Sequence, residues 1–234
     1  MLLVLWDIDG TLVDSAGHGR HAFEEAFRAV VGRDPEWVEY AGRTDHQIAL
    51  SMLNGSADHL PAVLDELAAK LAARKAAIAA DGRVYPGVRE TLAALHEADG
   101  VVNSLLTGNI EANAAVKVGA FGLDRWLDFE AGAYGSDPHE RRSDLVAIAR
   151  DRAAQRYAQA PGGARCAAMG SEPTGAVLVG DTPLDVRAAR EAGARAVAVA
   201  TGFAEVEALR ESEPDALLQD LSDTEAAIRA ITST

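Results

Sequence analysis

The chain has 234 residues, 48% of them hydrophobic and 25% charged, with a formal net charge of −14. That is enough apolar material for one large or two small globular domains. The acidic balance excludes nucleic acid and anionic membrane as partners, since both need clustered positive charge, but it leaves open an anionic small molecule held by a local cation.

Leu2 to Trp6 is a continuous apolar run, which predicts a strand buried on both faces. It ends in Asp7-Ile8-Asp9-Gly10-Thr11, two carboxylates placed just past the carboxyl end of the strand. Open α/β sheets bind ligands at that edge. Burying unpaired charge is costly, so the pair points to a bound dication or a reacting group. Gly10 and Thr11 suit a tight turn whose N–H groups cradle phosphate oxygens.

From Ser15 to Arg83 no strand is evident and several helices are predicted. The clearest runs from Pro61 to Ala80, with Leu64, Leu67, Leu71 and Ile78 on one face, Pro61 in the first turn and Gly82 past the end. Roughly seventy residues exceed an ordinary crossover, so this stretch is expected to be an inserted helical lid, hinged near Asp14-Ser15 and at Arg83–Gly87.

Beyond it, helices and apolar runs alternate. A helix over Val88–Ala98 precedes the run Val101–Leu106, which ends in Thr107-Gly108-Asn109. A helix over Leu145–Tyr157 precedes Ala176–Val179, which ends in Gly180-Asp181-Thr182. A helix over Asp185–Ala192, closed by Gly193, precedes Ala196–Ala200. Strands alternating with helices imply right-handed crossovers and a parallel sheet. Residues 158–174, rich in glycine and proline, read as a surface loop. The single cysteine, Cys166, excludes an intrachain disulfide and fits a reducing, cytoplasmic setting. Leu2–Trp6 is too short for a signal peptide, and no segment reaches the ~20 apolar residues of a bilayer span.

Asp7-Ile8-Asp9-Gly10-Thr11, Thr107-Gly108-Asn109 and Gly180-Asp181-Thr182-Pro183-Leu184-Asp185, in that order and each closing a strand, resemble motifs I, II and IV of the haloacid dehalogenase superfamily. Within it the chain is similar to the phosphoglycolate phosphatase and β-phosphoglucomutase-like branch. The resemblance covers residues 1–14 and about 85–225. It implies an α/β fold: a Rossmann-like parallel-sheet core (1–14 and 85–234) with an inserted α-helical C1 cap (15–84).

The resemblance further implies a Mg²⁺-dependent phosphatase acting on a small phosphorylated metabolite. Asp7 would be the nucleophile that forms an aspartyl-phosphate. Asp9 would be the acid for the leaving alcohol and then the base for water. Gly10, Thr11, Thr107, Gly108 and Asn109 would hold the phosphoryl group. Asp7, the backbone carbonyl of Asp9, and Asp181 would ligate the metal, with Asp185 as an outer ligand or as the residue that orients a cation. In the insert, Ala41-Gly42-Arg43-Thr44-Asp45 looks like the cap's specificity loop, with Arg43 directed at the substrate. His18 and His21 are expected to be solvated.

The third motif departs from the pattern. The family usually carries a lysine there, but only Lys70, Lys75 and Lys117 occur in this chain. Lys117, ten residues past Thr107, reads as badly placed. Arg142 is expected to take the lysine's place, with Arg141 the runner-up; arginine keeps the charge and adds a rigid fork for phosphate. Two other readings are a phosphomutase of the β-phosphoglucomutase type and a silent binding module. A glutamate usually precedes the motif IV aspartate in such mutases, and here Gly180 does. A silent module usually loses a motif residue, and here Asp7, Asp9, Thr107 and Asp181 are all present.

Overall fold

The computed structural model describes residues 1–158 and 175–233. In chain order the elements are β1 (Leu2–Trp6), β2 (Val13–Asp14), α1 (His18–Val31), α2 (Asp45–Met52), α3 (Leu60–Ala73), α4 (Lys75–Asp81), β3 (Arg83–Val84), α5 (Val88–Glu97), β4 (Val101–Leu105), α6 (Glu111–Ala120), α7 (Arg142–Ala158), β5 (Gly175–Gly180), α8 (Pro183–Glu191), β6 (Arg195–Val199), α9 (Val206–Glu211), β7 (Ala216–Leu218) and α10 (Thr224–Thr232).

Five strands form a parallel sheet in the order β4-β1-β5-β6-β7. β1 lies inside the sheet between β4 and β5, and its side chains alternate between two cores. Val4 and Trp6 join Val177, Val179, Val197 and Val199 against α5, α6 and α10. Leu3 and Leu5 join Leu178 and Ala198 against α7 and α8. Burial on both faces is why these strands read as unbroken apolar runs.

Register sets the chemistry. Trp6 pairs with Leu105 on one side and Val179 on the other. The three strands therefore end level, and Asp7, Thr107 and Asp181 emerge at one sheet edge.

β2 and β3 pair antiparallel, Val13 with Val84 and Asp14 with Arg83, and they bracket the helical insert. α1 to α4 have their own core around Phe23, Phe27, Met52, Leu67 and Ile78. The helix expected over Pro61–Ala80 is instead two, α3 and α4. At Arg74 the backbone leaves helical geometry (φ −93°, ψ 0°), and the guanidinium turns back to Glu25 on α1 at 2.5 Å. The short edge strand β7 had not been expected. The loop read over residues 158–174, with Cys166, lies outside the described residues. Among the described residues no helix is long and apolar enough to cross a membrane.

Candidate active site

Asp7 follows β1 directly, and its backbone N–H bonds to the carbonyl of Val179 at 2.9 Å. The next residues turn sharply: the N–H groups of Thr11, Leu12 and Val13 all converge on the carbonyl of Ile8. Gly10 makes this turn with φ +89°, and a Cβ there would fall on the Asp181 carboxylate. A side chain at position 10 is excluded by conformation and by space alike.

Asp7, Asp181 and Asp185 are buried, and each brings a carboxylate oxygen within 4.8 Å of the others. Among the described residues one cation answers them. Arg142, in the first turn of α7, donates from Nε and Nη2 to Asp185 (3.0 and 2.5 Å) and from Nη2 to Asp7 (3.2 Å). Burial works to lower the Arg142 pKa, but Asp185 and Asp7 hold it above its ordinary value. Burial, then the neighbouring carboxylate of Asp185, raise Asp7 well above the usual range. The same two causes push Asp181 up to about 7. Three carboxylates against one guanidinium leave a buried deficit of positive charge. A divalent cation with oxygen ligands fits that deficit.

Asp185 takes part through fixed contacts. Its second oxygen accepts from the N–H and hydroxyl of Thr182 (3.1 and 2.6 Å) in a capping box that opens α8. The N–H groups of Gly10 and Thr11, expected to cradle phosphate, are instead taken by the carbonyls of Val13 (3.1 Å) and Ile8 (3.3 Å) as the turn closes, and the Thr11 hydroxyl donates to Asp181 at 3.3 Å. Arg141 is exposed and pairs with Asp144 at 3.5 Å, away from the site.

The second carboxylate has different neighbours. Asp9 accepts from Ser15 Oγ (3.3 Å), Asn109 Nδ2 (2.9 Å) and Lys117 Nζ (2.5 Å). Lys117 also donates to Asn109 Oδ1 at 2.7 Å. The expectation that Lys117 is badly placed is therefore corrected: it is buried within the site, on Asp9 rather than on Asp7. Lys117 lies on α6 four residues after Asn113, and both are buried and line the cleft. That spacing is the signal in the sequence that places Lys117 on the face of the helix turned to the site. Thr107 Oγ1 accepts from Asn109 Nδ2 (2.8 Å), which leaves its own proton to donate.

The insert closes over this edge. The N–H of Asp45 bonds to the carbonyl of Gly108 (2.7 Å). Its carboxylate accepts from Ile110 N–H and Asn113 Nδ2 (both 2.9 Å), capping α6 from outside. Burial raises the Asp45 pKa despite these bonds and the charge of Lys117. Arg43 lines the cleft, yet its guanidinium bonds to Ser51 Oγ (2.7 Å) and to the carbonyls of Gln47 and Glu39, all within the insert. His18 pairs with Asp81 at 2.9 Å, and His21 is exposed. Between insert and sheet edge lies a cleft of about 400 Å³, lined by Asp7, Asp9, Thr107, Asp181, Arg142 and Lys117 among others.

Comparison with known proteins agrees with this arrangement. Residues 1–193 match the model of the haloacid dehalogenase-like hydrolases. Phosphoglycolate phosphatase 1 of Pseudomonas aeruginosa is 30% identical over 94% of this chain and 77% of its own length. The probable phosphatase IndB of Dickeya dadantii is 27% identical over 98% of this chain and 94% of its own. Among solved structures, a hydrolase from Pseudomonas syringae superposes with a TM-score of 0.69 over the full length of both chains at 17% identity, a likeness of fold. The chain belongs to the haloacid dehalogenase-like hydrolases and is an enzyme of that family.

Proposed function

We propose that the chain is a Mg²⁺-dependent phosphatase that hydrolyses a small phosphomonoester through an aspartyl-phosphate on Asp7, with the helical insert acting as a C1 cap. One observation carries this reading: two carboxylates two residues apart sit in opposite environments. Asp7 lies among carboxylates beside a guanidinium, and Asp9 lies on an ammonium and an amide. Different surroundings suit different roles.

Asp7 attacks phosphorus while Arg142 neutralises the incoming phosphoryl oxygens and holds the carboxylate in line. Thr107 donates its hydroxyl to the same group, with the N–H groups of Gly108 and Asn109 close by. Asp9 gives a proton to the leaving oxygen and then takes one from the water that cleaves the acyl phosphate. Asp7, Asp181 and the backbone carbonyl of Asp9 would hold Mg²⁺, which supplies further neutralisation of the phosphoryl charge. The insert, bonded to the core through Asp45, excludes bulk water during the reaction and limits the substrate to what the cleft encloses.

Hydrolysis is favoured over a mutase reaction at Gly180. A Cβ there would fall on the Asp185 carboxylate, so the glutamate of mutase-like sequences has no room without displacing the partner of Arg142.

Release of phosphate from an aryl phosphate tests the proposal. Turnover is expected with Mg²⁺, is lost in EDTA, and is abolished in Asp7→Asn. Undiminished turnover in Asp7→Asn would remove the assigned nucleophile.

A further inference from the structure

Every cation that lines the cleft among the described residues turns its charge to a protein acceptor. Arg142 is held by Asp7 and Asp185, and Lys117 by Asp9. Arg43 is bonded within the insert. Arg20 donates to Glu24 at 2.9 Å and lies 5.6 Å from the centre of the Tyr40 ring. Asp14 and Glu39 also line the cleft. Once the phosphoryl group occupies the sheet edge, a second negative charge on the substrate would meet carboxylates and no uncommitted cation.

The same cleft offers apolar rings. Trp37 is 72% exposed and Phe203 69%, the two most exposed large hydrophobic residues described, and both line it. Trp37 comes from the connection between α1 and α2. Phe203 comes from the loop after β6, where its N–H bonds to Asp181 at 3.0 Å and anchors its backbone beside the acidic cluster. Exposed aromatic side chains at a binding cleft bury large flat area at small conformational cost.

We propose that the leaving group of the substrate is uncharged and carries a flat aromatic ring, bound between Trp37 of the insert and Phe203 of the core. This rests on the phosphatase reading above and adds the class of alcohol that is released. It also separates this chain from its relative in Pseudomonas aeruginosa, whose name specifies phosphoglycolate. A carboxylated leaving group finds no free cation here.

Three alkyl phosphates test it: 2-phenylethyl phosphate, n-butyl phosphate and phosphoglycolate, each assayed with Mg²⁺. The expected order of kcat/KM places 2-phenylethyl phosphate about tenfold above n-butyl phosphate, the size of a well-placed aromatic contact, and phosphoglycolate last. In Trp37→Ala and Phe203→Ala the phenylethyl-to-butyl ratio is expected to fall toward one, mainly through KM. Both side chains are exposed, so neither substitution threatens folding. Phosphoglycolate turned over as well as 2-phenylethyl phosphate, or a ratio that neither substitution moves, overturns this inference alone. Turnover of none of the three, together with Asp7→Asn indistinguishable from the unmodified chain on an aryl phosphate, overturns the phosphatase reading and this one with it.

Discussion

Arg142 and Lys117 divide the positive charge of the site, one to each carboxylate of the first motif. Nη2 of Arg142 serves Asp7 and Asp185 together while Nε holds Asp185, so no single ammonium reproduces its geometry. Arg142→Ala is expected to lower kcat by roughly 10²–10³, the loss typical of one preorganised donor. Arg141→Ala should stay within about twofold, since Arg141 is exposed and its partner is Asp144. Steady-state kinetics on one substrate compares them, and equal small losses would sink the assignment of Arg142. Lys117 acts on the other carboxylate, and its effect should depend on the leaving group. A good aryl leaving group needs little help from an acid, whereas an alkoxide needs much. Lys117→Met is therefore expected to lose more than about tenfold on an alkyl phosphate and only a few-fold on 4-nitrophenyl phosphate. Equal losses on both would mean that Lys117 serves folding or phosphate binding instead.

At the scale of elements, α6 carries the junction of insert and core: α3 and α4 pack against it, and Asp45 of α2 bonds at its N-terminus. Asp45 supplies the acceptor for the N–H of Ile110, the residue that precedes α6, and for the Asn113 amide. Asp45→Ala leaves two buried donors unpaired, a loss of about 1–3 kcal/mol for each, and frees the insert at its tip. Faster hydrogen exchange across α1–α4 with the core sheet unchanged is the expected signature, together with a raised KM. Both bonds go to the same oxygen of Asp45, so Asp45→Asn keeps an acceptor for each and should lie close to the unmodified chain. Uniform exchange in all three proteins would show that the contact does not hold the insert. The elements themselves differ in how legible they were from the chain. β1, β4, β5 and β6 are buried on both faces and so appear as apolar runs. Their level ends brought Asp7, Thr107 and Asp181 together as their positions in the motifs implied. β7 is three residues of intermediate burial at the sheet margin, so it leaves no apolar run to find. The break at Arg74 arises from contacts with Glu25 and His18 on another helix, which no local pattern carries. Lys117 is hidden for a similar reason: distance along the chain from Thr107 says nothing of the α6 face it shares with Asn113, and that face brings it to the site.

For the molecule as a whole, the cluster of Asp7, Asp181 and Asp185 sets function against stability. Three buried carboxylates repel one another, and among the described residues only Arg142 pairs with them. A dication that binds the folded chain alone relieves this. At one hundred times its dissociation constant it adds about 2.7 kcal/mol, which for a chain of this size raises Tm by roughly 5–10 °C. Without metal the sign with pH follows from Asp181, whose carboxyl is pushed up to about 7 in the folded state, burial being the largest cause and Asp185 the next. The folded chain then holds this proton where the unfolded chain has already released it. Its share of stability is present below the ordinary carboxylate value near 4 and is lost as pH rises toward about 7. Asp181→Asn removes the titration and keeps the local bonding. The Asn oxygen accepts from the Phe203 N–H in place of the carboxylate, and the Thr11 hydroxyl, now a donor to Asp181, can rotate to accept from the amide. In EDTA the variant is therefore expected to melt no lower than the unmodified chain at pH 7.5, with a flatter dependence between pH 4.5 and 7.5. In Mg²⁺ it should show little of the thermal shift and little activity. Melting curves of both proteins, with EDTA and with Mg²⁺, decide the matter: a variant less stable in EDTA with an undiminished Mg²⁺ shift would mean that Asp181 serves the fold and not the ion.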